Sequence, residues 1–114
     1  MIIEQDLACK CCGKLPEQGI HRKLLAGLNL MSQCIDFHIE SGYRCEKHNL
    51  EVGGSKDSAH RYGFAVDIHP IPDGTVSELV NATKGLFPRM GLGIYPWGLH
   101  IDTIPWGRPW MEKL

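Results

Sequence analysis

Apolar residues recurring at two different periods in successive stretches predict an α+β domain, a small antiparallel sheet with helices packed on one side. The helical period appears at Leu24, Leu25, Leu28, Met31 and Ile35, and again at Val76, Leu79, Val80, Thr83 and Phe87. The strand period appears at Phe37, Ile39, Ser41 and Tyr43, at Phe64, Val66 and Ile68, and at Leu99, Ile101 and Thr103. Several of the connections are short, so parallel pairing through crossovers is not forced.

Length and charge narrow the class of function. A chain of 114 residues fits one domain able to bury a core without disulfides. Twelve basic and thirteen acidic residues leave a formal charge of −1, so a nucleic acid or an anionic membrane surface is not an expected partner. No apolar run approaches the roughly 20 residues of a membrane span. The start, MIIEQDLACK, lacks the basic-then-apolar order of a secretory signal, so the chain is expected to be cytoplasmic as synthesised. A monomer is expected.

Residues 1–20 form a cysteine-containing segment followed by a polar Pro/Gly loop. Five cysteines, three of them crowded at Cys9, Cys11 and Cys12, fit a reducing compartment better than a disulfide framework. Cys9 and Cys12 have the spacing of a zinc knuckle, which needs two further ligands from Cys34, Cys45 or His21. Reduced, partly buried thiols are the alternative.

An amphipathic helix is expected from about His21 to Ile35, then a half-buried strand over Asp36–Tyr43 with His38 and Glu40 on its outer side. His38 reads as an edge-strand histidine. Arg44–Val52 predicts a short helix halted by Gly53-Gly54, with His48 and Asn49 bonding that loop. Ser55–Arg61 is a loop and Phe64–His69 a strand closed by Pro70, Pro72, Asp73 and Gly74. Asp73 or Thr75 caps the next helix, which runs to Pro88. Gly91–Tyr95 and Gly98–Thr103 are two short strands joined through Pro96-Trp97. The tail 104–114 is rich in Pro and Trp, so it is expected to lack regular structure and to place its indoles over a core edge or at a groove.

The chemistry concentrates between Ser41 and Asp102. Ser58, His60, Gly63, Ala65 and Asp67 spell S-x-H-x-x-G-x-A-x-D, which sets a histidine and a carboxylate seven positions apart across a turn and a strand. Alternation along Gly98–Asp102 puts His100 and Asp102 on one strand face. Two histidines and one carboxylate, His60, Asp67 and His100, are a ligand set that catalytic Zn2+ uses, with a fourth position for water. Hydrolysis of an amide further needs a base and a donor for the developing oxyanion. Asp102 is the candidate base, and Arg44 offers a planar fork suited to a carboxylate or a polarised carbonyl. His69 shares a face with Asp67 and either enters the site or decorates the edge.

The residues SGYR at 41–44, HN at 48–49, VGG at 52–54, the S-x-H-x-x-G-x-A-x-D-I element and G-x-G-x-Y followed by H-x-D resemble the zinc D-Ala-D-Ala carboxypeptidases of peptidase family M15. The closest likeness is its short single-domain branch of phages and bacteria, and it covers roughly Ser41–Asp102. The resemblance implies the fold shared with hedgehog signalling domains and a zinc peptidase that cuts at D-amino acids in peptidoglycan stems, acting at the bacterial cell wall. By position it implies His60, Asp67 and His100 as ligands of one zinc ion and Arg44 as the substrate-contacting arginine. Tyr43, Ser58 and Trp97 fall beside these positions as expected substrate contacts. Many members place a catalytic Glu or Asp three residues before the last zinc histidine, where this chain has Trp97. A shifted register would instead make Asp102 the third ligand and His100 its helper.

Overall fold

The computed structural model describes all residues except 56–57, 72–73, 87–89, 105–109 and 114, and over 110–113 the backbone alone. A short 3-10 turn, Glu4–Leu7, leads to helix α1, Arg22–Ser32, and strand β1, Phe37–Ser41. Helix α2, Glu46–Glu51, and a second 3-10 turn, Ala59–Tyr62, lead into β2, Ala65–Pro70. Helix α3, Val76–Leu86, then precedes β3, Gly91–Ile94, β4, Leu99–Asp102, and β5, Trp110–Lys113. The sheet order is β1-β2-β4-β3-β5, with the first four strands antiparallel to their neighbours.

This is the expected α+β architecture, and the periodicities explain it. Val66, Ile68, Leu92, Leu99 and Ile101 point to one face of the sheet, where they meet Leu24, Leu28 and Met31 of α1 and Leu79 of α3. Each such side chain contributes about 1.5–3 kcal/mol by leaving water. Thr83, also fully buried, satisfies its hydroxyl by donating to the Leu79 carbonyl at 2.7 Å. Helix α3 begins where Thr75 Oγ1 accepts the Glu78 amide at 3.2 Å, so Thr75 is the cap. The alternative cap Asp73, with Pro72, Phe87 and Pro88, lies outside the described residues. Helix α2 stops ahead of Gly53-Gly54 as expected, and buried Asn49 donates to the Ser55 carbonyl at 2.8 Å.

The tail departs from expectation. Residues 105–109 and the indoles of Trp106 and Trp110 lie outside what is described, but from Trp110 the backbone forms β5, parallel to β3. The run Trp110–Lys113 contains no proline, and the outer edge of β3 offers a row of peptide groups that a further strand can pair. No helix among the described residues is long and apolar enough to cross a membrane.

The opposite sheet face carries the polar residues. Asp67 on β2 stands directly across from His100 on β4 and, on its other side, from Ser41 on β1. A bulge between Ile39 and Ser41 shifts the register of β1 just before Gly42. The chain therefore leaves the sheet at the point where the site begins.

Candidate metal centre

Three elements bring His60, Asp67 and His100 together, with one ligand-type atom from each lying within 4.8 Å of the others. Asp67 and His100 meet because they are cross-strand partners on one sheet face. His60 arrives from the 3-10 turn Ala59–Tyr62, which Ser58 opens by accepting the His60 amide on its hydroxyl at 3.3 Å.

His60 is held by its ring as well. Its Nδ1 donates to the Gly42 carbonyl at 2.8 Å; since a carbonyl can only accept, Nδ1 carries a proton, and Nε2 is the nitrogen turned to the site. That Nε2 faces Asp67 Oδ1 at 3.2 Å. Gly42 can supply this carbonyl because it has no Cβ: one built there would stand 2.5 Å from the Leu7 oxygen and 2.7 Å from Leu7 Cα. The N-terminal segment thus passes directly behind the site, and the Tyr43 amide donates to the Leu7 carbonyl at 2.8 Å.

His100 has a carboxylate at each ring nitrogen, Asp67 Oδ1 at 3.0 Å from Nδ1 and Asp102 Oδ2 at 2.9 Å from Nε2. Burial alone would lower its pKa, but the hydrogen bonds to Asp102 and Asp67 and their charges raise it to about 9. Burial likewise opposes ionisation of Asp67, yet hydrogen bonds from His100 and His60 hold its carboxyl well below the usual carboxylate range. Arg44 meets the other oxygen: Nη2 donates to Asp67 Oδ2 at 3.2 Å and Nε to Ser41 Oγ at 3.3 Å. The two oxygens of Asp67 are thereby divided, Oδ1 toward the histidines and Oδ2 toward the arginine.

These residues fit a divalent cation. Ligand atoms about 2.1 Å from a tetrahedral zinc stand about 3.4 Å apart. His60 Nε2 and His100 Nδ1 lie 3.2 and 3.0 Å from Asp67 Oδ1, close to that separation. The set is a borderline-soft N,N,O triad, and Asp102 on His100 Nε2 completes the carboxylate–histidine pairing usual behind a metal-bound imidazole. In the shifted register Asp102 would be the third ligand; here its carboxylate meets His100 Nε2, while Nδ1 faces Asp67 Oδ1.

An open cleft of about 770 Å³ adjoins the triad, with Asp67, Arg44, Ser41, His48, His69 and Trp97 among its lining residues. Trp97, at 46% exposure, stacks on Tyr95 with ring centroids 5.0 Å apart, a flat apolar rim for the cleft. Arg44 and Trp97, both expected substrate contacts, line this cleft. Three other expected site residues do not line it among the described residues. Tyr43, past the end of β1, packs among the partly buried residues against the core and does not line this cleft. Ser58 does not line it either and serves His60 as the cap described above. Asp102, the expected base, is 4% exposed and turned to His100, with Oδ2 at 2.9 Å from Nε2.

Sequence reasoning missed the neighbouring cluster. His38 and His69 are cross-strand partners with ring centroids 4.7 Å apart, and His69 Nδ1 lies 3.1 Å from Glu40 Oε2. The alternation of β1 and β2 contained this signal, but only a known register joins the two strands.

Asp67 and His100 on adjoining strands, joined by His60 from a turn and lying beside a cleft that Asp67 lines, make the kind of site that metal-dependent hydrolases use. A family model described as Peptidase M15 matches residues 4–102, and the chain belongs to that peptidase family. No curated protein matches the chain significantly.

Proposed function

We propose that this metallopeptidase is zinc-dependent and hydrolyses peptide bonds next to D-amino acids in bacterial peptidoglycan stem peptides, as a D-Ala-D-Ala carboxypeptidase or an endolysin-type endopeptidase. The observation that carries this reading is the meeting of His60 Nε2, Asp67 Oδ1 and His100 Nδ1 at ligand-like separations beside a cleft that Arg44 also lines. The same reading places its action at the cell wall, on release or delivery, by a single chain.

His60, Asp67 and His100 hold the ion, with Gly42 and Asp102 fixing the two imidazoles. Bound zinc supplies Lewis acidity, polarising the scissile carbonyl and lowering the pKa of water. Arg44, already oriented by Ser41 and Asp67, points a cation into the cleft where a substrate carboxylate or a developing oxyanion is stabilised. Glu40, His48 and His69 are described cleft residues able to take a proton there. Trp97 and Tyr95 offer the stem peptide an apolar shelf.

Purified protein with zinc should release amino acid or peptide from peptidoglycan or a D-Ala-D-Ala peptide, a chelator should stop it, and His60→Ala should remove both metal and activity. Full activity in that variant ends the proposal. A second reading, a zinc-containing module that binds wall peptides without cutting them, is favoured by Trp97 standing where many members have a carboxylate. Tight peptide binding with no turnover by the zinc-loaded wild type would select it.

A further inference from the structure

We propose that Cys9, Cys12 and Cys45 hold a second metal ion, a structural zinc that fastens the N-terminal segment to the loop carrying Arg44. Their three sulfurs lie within 4.8 Å of one another although Cys45 is far along the chain from the other two. Thiolates about 2.3 Å from a tetrahedral zinc stand about 3.8 Å apart, so the ion needs only small side-chain adjustments.

The local backbone is built for this. Cys9-Lys10-Cys11-Cys12-Gly13 closes a turn in which the Gly13 amide donates to the Cys9 carbonyl at 2.7 Å and the Cys9 amide to the Lys14 carbonyl at 2.9 Å. Gly13 sits at φ +71° with nothing within 4 Å of a built Cβ, so the backbone angle is what requires glycine. The amides of Cys45, Cys12 and Cys11 face Cys9 Sγ, the Cys45 amide at 3.5 Å, and Cys45 Sγ accepts the His48 amide at 3.4 Å. Such donors stabilise negative sulfur.

Burial of reduced thiols does not explain the convergence. Cys12 is exposed and Cys45 only half-buried, so neither gains much as a small hydrophobe. The other two cysteines behave differently: Cys11 turns to Glu51 at 3.8 Å, and Cys34 is exposed. Three of five cysteines select one another, a number that one disulfide leaves odd and a thiolate metal site uses in full. A borderline-soft divalent ion suits three thiolates, with water or a neighbouring side chain completing the shell. Lys10 lies inside this turn and lines the cleft, so the ion would set one cationic wall of the cleft as well as the Arg44 loop.

The test separates this ion from the cleft ion. Full-length protein purified under reducing conditions with zinc is analysed by plasma mass spectrometry; about two zinc ions per chain are expected, and about one in both His60→Ala/His100→Ala and Cys9→Ser/Cys12→Ser. Cobalt added to metal-free His60→Ala/His100→Ala should give an intense thiolate-to-cobalt charge-transfer band in the near ultraviolet, absent from the cysteine variant. A His60/His100 variant without zinc and without that band overturns the proposal. If that variant does not fold, cobalt-loaded wild type decides it, because only thiolate ligation gives the band. Loss of the cleft ion alone leaves the band in place.

Discussion

Asp102→Asn separates two roles that the same aspartate could fill. Asn keeps the shape and its amide oxygen still accepts the Nε2 proton of His100, so ring orientation survives; the negative charge behind the imidazole does not. A buried hydrogen bond to a charged group contributes about 1.5–3 kcal/mol against about 1 for a neutral one. The difference, about 0.5–2 kcal/mol, corresponds to roughly 2–30-fold weaker zinc binding, overlapping the range of about 10–100-fold for residues behind a metal ligand. Competition against a chromophoric chelator measures it, and turnover at saturating zinc should fall no more than about tenfold. A general base contributes about 10²–10⁴-fold. Unchanged zinc affinity with turnover down a hundredfold or more would refute the positioning role and make Asp102 the base.

Arg44→Met removes both the partner of Asp67 Oδ2 and the cleft cation, so zinc affinity should fall about 10–100-fold and turnover at saturating zinc about 10²–10³-fold, read by the same competition and by peptide release. At pH 7 zinc binding should release a proton from His100, whose pKa of about 9 in the metal-free site must be overcome; calorimetry in buffers of different ionisation enthalpy counts it, and zero release contradicts the pairing with Asp67 and Asp102. In chelator the same raised pKa stabilises the fold fully below about 6.5, and that contribution should be lost as pH rises through about 9, visible as a falling Tm. Gly42→Ala should destabilise by about 1–3 kcal/mol through its clash with Leu7 and loosen zinc by shifting the carbonyl that holds His60; denaturant unfolding and zinc affinity together check it.

The sheet and the triad were largely legible in the sequence. Alternation in Phe64–His69 and Gly98–Asp102 predicts the core residues, and the observed pairing of Asp67 with His100 follows from those faces once the two strands adjoin. The motif glycine at Gly63 and the cap at Ser58 explain how His60 reaches the same point from a turn. What local pattern could not supply was contact between distant segments. Nothing in residues 36–43 indicates the bulge after Ile39, so the place of Ser41 opposite Asp67 and the Glu40–His69 contact were unreadable. Cys45, one of three partners left open for Cys9 and Cys12, meets Cys9 because the N-terminal segment lies against Gly42, whose missing Cβ admits it. The strand at Trp110–Lys113 was obscured by the prolines before it, because pairing with an open edge overrides composition.

Crystals grown with zinc and measured across the zinc absorption edge would locate the ion by its anomalous scattering. A peak about 2.0–2.2 Å from His60 Nε2, Asp67 Oδ1 and His100 Nδ1 is the expected result. A zinc-saturated crystal with no peak between those three atoms, or with the ion bound instead through His100 Nε2 and Asp102, would contradict it.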